Sequence, residues 1–307
     1  MKIKIVDLNK SEKGSKELPV QFSEAIRDDL VQRAVLSLQA EQRQAYGTKH
    51  MAGMRHAVDV SRRRRDYRTS YGHGISRVPR KTLNRSGIRF SWVGAQAPGT
   101  VGGRTADPPK AEKDWTQKIN EQENRKAIRS AMAATMMSTM VSMRGHRIPK
   151  EFPFILDNKV ETLAKTSDVE KMLEKLGFEA ELARTSERKV RAGKGKNRGR
   201  KYQNKKGPLF VVSHACALEK AARNIPGIEV VEVKNINAEL LAPGCQMGRL
   251  TLWSEGAIDT LADKKLFTAE YKGESSQKPK AEKVVAKTEK KATKKAPAKK
   301  TAKKKAE

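Results

Sequence analysis

Apolar residues recur at helical spacing over 21–46, where Phe22, Ile26, Leu30, Ala34 and Leu38 share one face and Gly47 supplies a stop. The pattern predicts a second helix over 114–144. Pro108 and Pro109 precede it, Asp114 and Gln117 read as a capping box, and Gly145 and Pro149 follow. Its methionines, Met132, Met136, Met137, Met140 and Met143, read as core packing. A third helix is expected to be capped by Ser167 with Glu170, to bury Val169, Met172, Leu173 and Leu176, and to close at Gly177. Runs of strand length, rich in Val, Ile, Leu and Phe, occupy 152–156, 209–213, 229–233 and 250–253. The stretches 215–224, 236–241 and 254–261 look helical. This alternation predicts an α/β body, a mainly parallel sheet flanked by helices in a Rossmann-like three-layer arrangement. One core suffices for a body formed by 1–46 and 111–275.

Residues 47–110 break the pattern. They hold 9 Gly and 4 Pro in 64 positions, few large aliphatics and no sustained period of 2 or 3.6. A segment this long inside a compact domain is either disordered or held by a partner. Out and back at full extension it reaches at most roughly 100 Å. Its aromatic residues Tyr67, Tyr71, Phe90 and Trp92 alternate with Arg62, Arg63, Arg64, Arg65, Arg68, Arg77, Arg80, Arg85 and Arg89. Lys81 and Arg104 extend the set. That mixture stacks on bases while pairing phosphates, since a guanidinium is a planar fork for phosphate oxygens. Tyr71, Gly72, His73, Gly74, Ile75 and Ser76 open its most glycine-rich part, where backbone could lie directly against RNA.

Charge sharpens this division. The 307 residues carry 65 Lys plus Arg and 35 Asp plus Glu, net +30. Three segments hold nearly all of the excess: 47–110 is net +11, 184–206 net +10 and 276–307 net +10, leaving the other 188 residues at −1. An ordinary neutral body thus bears three polycationic appendages, and the implied partner is a polyanion. In the second appendage Arg191, Lys194, Lys196, Arg198 and Arg200 are candidate RNA contacts. The third, nearly all Lys, Ala, Thr, Pro and Glu, is expected to be a disordered polycation that adds affinity and little specificity.

Other chemistries lack their residues. The glycines of 191–200 do not follow the Gly-x-x-x-x-Gly-Lys-Ser/Thr spacing, and the 152–156 strand is followed by Asp157-Asn158-Lys159 rather than a dinucleotide loop. His50, His56, His73, His146 and His214 have no partner at metal-ligand spacing, so neither metal nor cofactor is expected. Cys216 and Cys245 make no disulfide framework, which fits a reducing cytoplasm. The longest weakly polar stretch, 131–143, is too short and too polar to span a bilayer, and no export signal is evident.

Six segments, in order, carry a resemblance to a known family: 72–80 (Gly-His-Gly-Ile-Ser-Arg-Val-Pro-Arg), 97–104 (Ala-Pro-Gly-Thr-Val-Gly-Gly-Arg), 144–148 (Arg-Gly-His-Arg-Ile), 191–196, 223–227 (Arg-Asn-Ile-Pro-Gly), and 241–244 (Leu-Ala-Pro-Gly) with Gly248-Arg249. Over about residues 1–265 the chain resembles the universal large-subunit ribosomal protein family called L-four, or L-one-e, in its archaeal and eukaryotic form. The resemblance implies a structural, non-enzymatic part of the cytoplasmic ribosome. Its α/β domain would sit on the outside of the large subunit, and its long loop would enter ribosomal RNA and help line the nascent-peptide exit tunnel. The implied partners are large-subunit rRNA, neighbouring large-subunit ribosomal proteins and, at a tip formed by 71–76, the nascent peptide. A chromatin protein would need repeated basic modules or a groove-reading helix, and an RNA-modifying enzyme a cofactor loop with a positioned acid, base or nucleophile; neither pattern is found.

Overall fold

A computed structural model of the chain describes residues 1–271, so the tail expected at 276–307 lies outside the described residues. In chain order the strands are β1 (Lys2–Val6), β2 (Glu12–Glu17), β3 (Arg80–Ser86), β4 (Arg89–Gly94), β5 (Ile155–Leu156), β6 (Lys189–Val190), β7 (Tyr202–Gln203), β8 (Leu209–Val212), β9 (Glu229–Glu232) and β10 (Thr251–Ser254). The α-helices are α1 (Asp28–Glu41), α2 (Glu121–Thr135), α3 (Ser138–Met143), α4 (Thr166–Lys175), α5 (Glu179–Ser186), α6 (Ala217–Ala222), α7 (Ala238–Leu241) and α8 (Glu255–Asp263).

One six-stranded sheet, ordered β2-β1-β5-β10-β8-β9, organises the body. Its pairings are parallel except β1 with β2, so the sheet is mixed. β8 (Leu-Phe-Val-Val) and β10 (Thr-Leu-Trp-Ser) are buried at every position, as central strands covered on both faces must be. Leu156, Phe210, Val212 and Leu252 pack with Val169 and Leu173 of α4 and Leu218 of α6. Strand alternation sends Trp253 to the other face, where the Phe22 ring meets it edge-on at 5.0 Å. The outermost strand β2, Glu-Lys-Gly-Ser-Lys-Glu, has no apolar side chain; its charges mark it as an edge that repels further pairing.

Several expected boundaries shift. α1 starts at Asp28, where Ser130 Oγ of α2 accepts from Arg27 N at 2.7 Å and two acids favour the helix N-terminus; its buried stripe is Val31, Ala34 and Val35. The helix expected over 114–144 is two, because Met137 is extended between α2 and α3. Asp114 does not cap it: its carboxylate accepts from Thr116 N at 2.9 Å and Thr116 Oγ1 at 2.7 Å, a local turn well before α2. Met132 and Met136 are core, but Met137 and Met143 are exposed, so the methionine expectation holds only in part. Ser167 does not cap α4; the helix starts from Lys165 without a side-chain cap, although Gly177 closes it at φ +89°. β1, β2 and α5 were not foreseen.

The basic segments also have more order than expected. β3 and β4 form a two-stranded antiparallel ladder within 47–110, turning at Gly87 with φ +56°, and Leu83 is a bulge between Thr82 and Asn84. The two arms meet elsewhere: Thr48 N donates to Pro109 O at 3.0 Å, and Gln96 Nε2 donates to Met54 O and His56 O. Gly53 lies so close to Arg104 that a Cβ there would fall 2.6 Å from its backbone nitrogen.

Candidate nucleic-acid interface

Alternation along β4 puts Phe90 and Trp92 on one face, and the ladder sets Arg85 opposite Phe90 and Thr82 opposite Trp92. Phe90 and Trp92 stack at 5.5 Å, and Tyr67 meets Phe90 edge-on at 5.4 Å. Guanidinium groups cover these rings. Arg68 lies 5.2 Å from the Tyr67 centroid, Arg85 5.3 Å from Tyr67 and 5.7 Å from Phe90, and Arg80 5.4 Å from Trp92. Arg85 Nη1 also donates to Tyr67 Oη at 3.2 Å. Tyr67 is held by its neighbour Asp66, whose carboxylate accepts from Ser61 Oγ at 2.6 Å and from Tyr67 N at 2.8 Å. The Ser61 hydrogen bond, then that from Tyr67, keeps the Asp66 carboxyl below its ordinary value.

Five of the sequence-selected residues, Tyr67, Arg68, Arg80, Arg85 and Trp92, therefore converge on one cluster, with Phe90 at its centre. Arg77 lies 4.4 Å over the Tyr71 ring as a separate pair. Gly72 and Gly74 adopt positive φ, 78° and 66°, which explains glycine at those two places. His73 and Ile75 border the aromatic cluster. Arg62, Arg63, Arg64 and Arg65 are exposed, as is Arg89 at the hairpin turn; Lys81 sits opposite Val93 and Arg104 donates to Gln96 O. Among the described residues none of the 14 Lys and Arg in 47–110 is in an ion pair with an acid.

The second basic segment is a short hairpin, β6 with β7, closed by Arg191 N donating to Lys201 O at 2.8 Å. Arg191, Lys194, Lys196, Arg198 and Arg200 are all exposed on it. Arg184, Lys205 and Lys206, counted with them by sequence, are tied to acids instead. Arg184 pairs with Glu181, Lys205 with Glu187, and Lys206 with Glu229. Arg184 Nη2 also donates to Lys206 O at 2.7 Å, so both ends of the hairpin are clasped together.

Glu181 is fully buried and is the hub of the clasp, accepting from Arg184 Nε and Nη2, Arg147 N and His146 Nδ1. Burial works against its charge, but the hydrogen bonds from Arg184, His146 and Arg147 outweigh it and hold the carboxyl at about 2. His146 is pushed below its ordinary value by burial, so near neutral pH it is the uncharged donor to Glu181. A carboxyl depressed in the fold stabilises above its ordinary value and stops doing so as pH falls toward its folded value. Wild-type protein is therefore expected to lose about 2–3 kcal/mol of stability between roughly pH 5 and 2 through this group. Glu181→Gln should be destabilised at pH 7 and lack that part of the acid limb, as read by urea titration against pH.

Sequence reasoning missed a third cluster, where 47–110 joins the body. Tyr46 and Trp115 stack at 5.5 Å, with the Arg43 guanidinium 4.0 Å and Lys113 Nζ 4.4 Å from the Trp115 ring. Two lone aromatics 69 positions apart, one on each side of the segment, gave the only signal. Trp115→Ala is expected to lower stability by about 1–2 kcal/mol. It should also speed proteolysis at both arms near 47 and 110, with Trp115→Phe in between.

Comparison with known proteins gives the family. The family model described as ribosomal protein L4/L1 family matches residues 16–264. The chain is 50% identical over 268 residues to the large ribosomal subunit protein uL4 of Nanoarchaeum equitans, covering 87% of this chain and 100% of that protein. It is 45% identical over 258 residues to uL4 of Methanococcoides burtonii, covering 84% and 96%, and 41% identical over 264 residues to uL4 of Archaeoglobus fulgidus, covering 86% and 99%. The class is thus a structural, non-enzymatic protein of the large ribosomal subunit. Within that class the chain belongs to the ribosomal protein L4/L1 family.

Proposed function

We propose that this chain binds large-subunit rRNA through two elements on one body, the 47–110 segment and the 187–204 hairpin, and supports assembly of the subunit. The observation that carries this reading is the set of 14 cations in 47–110 interleaved with stacked rings, none of them in an ion pair with an acid among the described residues, which favours an external polyanion as their partner. Phosphates crowded in folded RNA repel one another, and arginines delivered on a thin segment relieve that repulsion where a globular surface could not enter. The 47–110 segment acts as the extended, RNA-penetrating part. Its 71–76 stretch lines the exit tunnel beside the nascent peptide, and the body meets neighbouring ribosomal proteins in a cytoplasmic ribosome. The family membership and the exposure of these cations support the reading. Among the described residues no helix is long and apolar enough to cross a membrane.

Ultraviolet crosslinking of intact large subunits followed by peptide mass spectrometry tests it. Nucleotide adducts are expected on peptides from 55–104 and 188–201. Adducts confined to the body, with neither segment modified, would reject it. Stalled nascent chains carrying a photoreactive residue are expected to label 71–76; labelling elsewhere on the chain would remove the tunnel assignment alone.

A further inference from the structure

The Tyr67, Phe90 and Trp92 cluster does more than decorate a basic segment: it borders a cleft of about 590 Å³. One wall is the β4 face and the other the 66–69 turn, which Arg65 and Arg68 bend with φ of 57° each. Arg68 Nε is buried and has no hydrogen-bond acceptor among the described residues. Ile88 at the hairpin turn is 92% exposed and lies at the mouth, an apolar surface left to water unless something covers it. The one acid at the border among the described residues, Asp66, is already engaged by Ser61 and Tyr67 N.

We propose that this cleft is a seat for a single unstacked nucleobase of single-stranded RNA. Its walls are aromatic rings and the guanidinium planes lying over them, its rim carries Arg85 and Arg89, and its depth offers one unused guanidinium N–H. A base fits each of these: its ring stacks on the aromatic and guanidinium planes, a ring nitrogen or exocyclic oxygen accepts from Arg68 Nε, and the flanking phosphates meet the rim arginines. A duplex does not fit, because its base faces are covered by their neighbours. A peptide backbone, unlike that of RNA, carries no anion at each step to meet the rim. The inference rests on the RNA-binding reading above and deepens it by naming what enters the site.

The test uses the full-length chain, a fluorescein-labelled adenosine hexanucleotide, and an RNA hexamer duplex, titrated at about 200 mM salt where the purely ionic contribution is reduced. Phe90→Leu keeps every charge and most of the volume but removes the central ring. The expected result is about a tenfold loss of affinity for the single strand with duplex binding unchanged. Trp92→Leu, checked by thermal melting to be folded, should show the same selective loss. Equal losses on both RNAs, or no loss on either, overturn the cleft while leaving RNA binding by the chain intact. Displacement of the single strand by an uncharged aromatic hexapeptide would reassign the cleft to peptide and also overturn it. If the wild-type chain binds neither RNA, the underlying reading falls as well.

Discussion

Replacing Arg249 with Met is expected to lower stability by about 3 kcal/mol, the low end of what breaking a buried ion pair costs. Arg249 is fully buried; its Nε donates to Gly207 O at 3.1 Å, and its Nη1 to Leu240 O at 2.9 Å and Glu229 Oε2 at 2.7 Å. Methionine fills the volume but leaves two carbonyls and a half-buried carboxylate short of a donor. Two features hold the cost to the low end. Glu229 keeps Lys206 and some solvent, and Arg249 Nη2 is itself without an acceptor among the described residues, so its removal relieves a penalty. For a body of this size the melting midpoint should drop by roughly 6–12 °C. Adding Glu229→Leu is expected to recover part of the loss, since removing both partners costs less than removing one.

The second large effect concerns function. Changing Arg62, Arg63, Arg64 and Arg65 to Gln should leave thermal stability nearly unchanged, because all four are exposed and none is in an ion pair with an acid among the described residues. It should strongly weaken rRNA binding at low salt. If each arginine neutralises one phosphate, the salt slope falls by about 3–4. Across a fourfold rise in salt, the variant should then lose roughly sixty- to two-hundred-and-fiftyfold less affinity than wild type. Incorporation into subunits should fall, most visibly at low temperature. A variant with the wild-type slope would mean that these arginines do not meet phosphates.

What could be read before the fold was seen follows from where the signal lies. β8 and β10 were legible because continuous burial writes a continuous apolar run, and α4 because Val169, Met172, Leu173 and Leu176 repeat at helical spacing. β2 was illegible because an edge strand guarded by charge has no apolar residue to betray it. β3 was hidden for a related reason: Leu83 is its one large apolar residue and sits at the bulge, so the period of 2 is broken where it would have shown. The gross count of charge, neutral body against basic appendages, stood on the sequence alone, since charge counts need no geometry. The finer count did not: Arg184, Lys205 and Lys206 belong to the clasp, whose acids Glu181 and Glu229 lie in an ordinary helix and an ordinary strand. The aromatic cluster was legible as composition and illegible as a cleft, because only the ladder register brings Arg85 to Phe90. Trp115 and Tyr46 were missed because each is alone in its own stretch of sequence.

The most direct test of the central claim, that this chain is a built-in structural part of the large subunit, is sedimentation of cell lysate through a sucrose gradient at high salt. The chain should remain with the large subunit at one copy per particle, because contacts threaded through folded RNA survive salt that strips surface-bound cations. Release into the soluble fractions, with large subunits sedimenting normally without it, would contradict that claim.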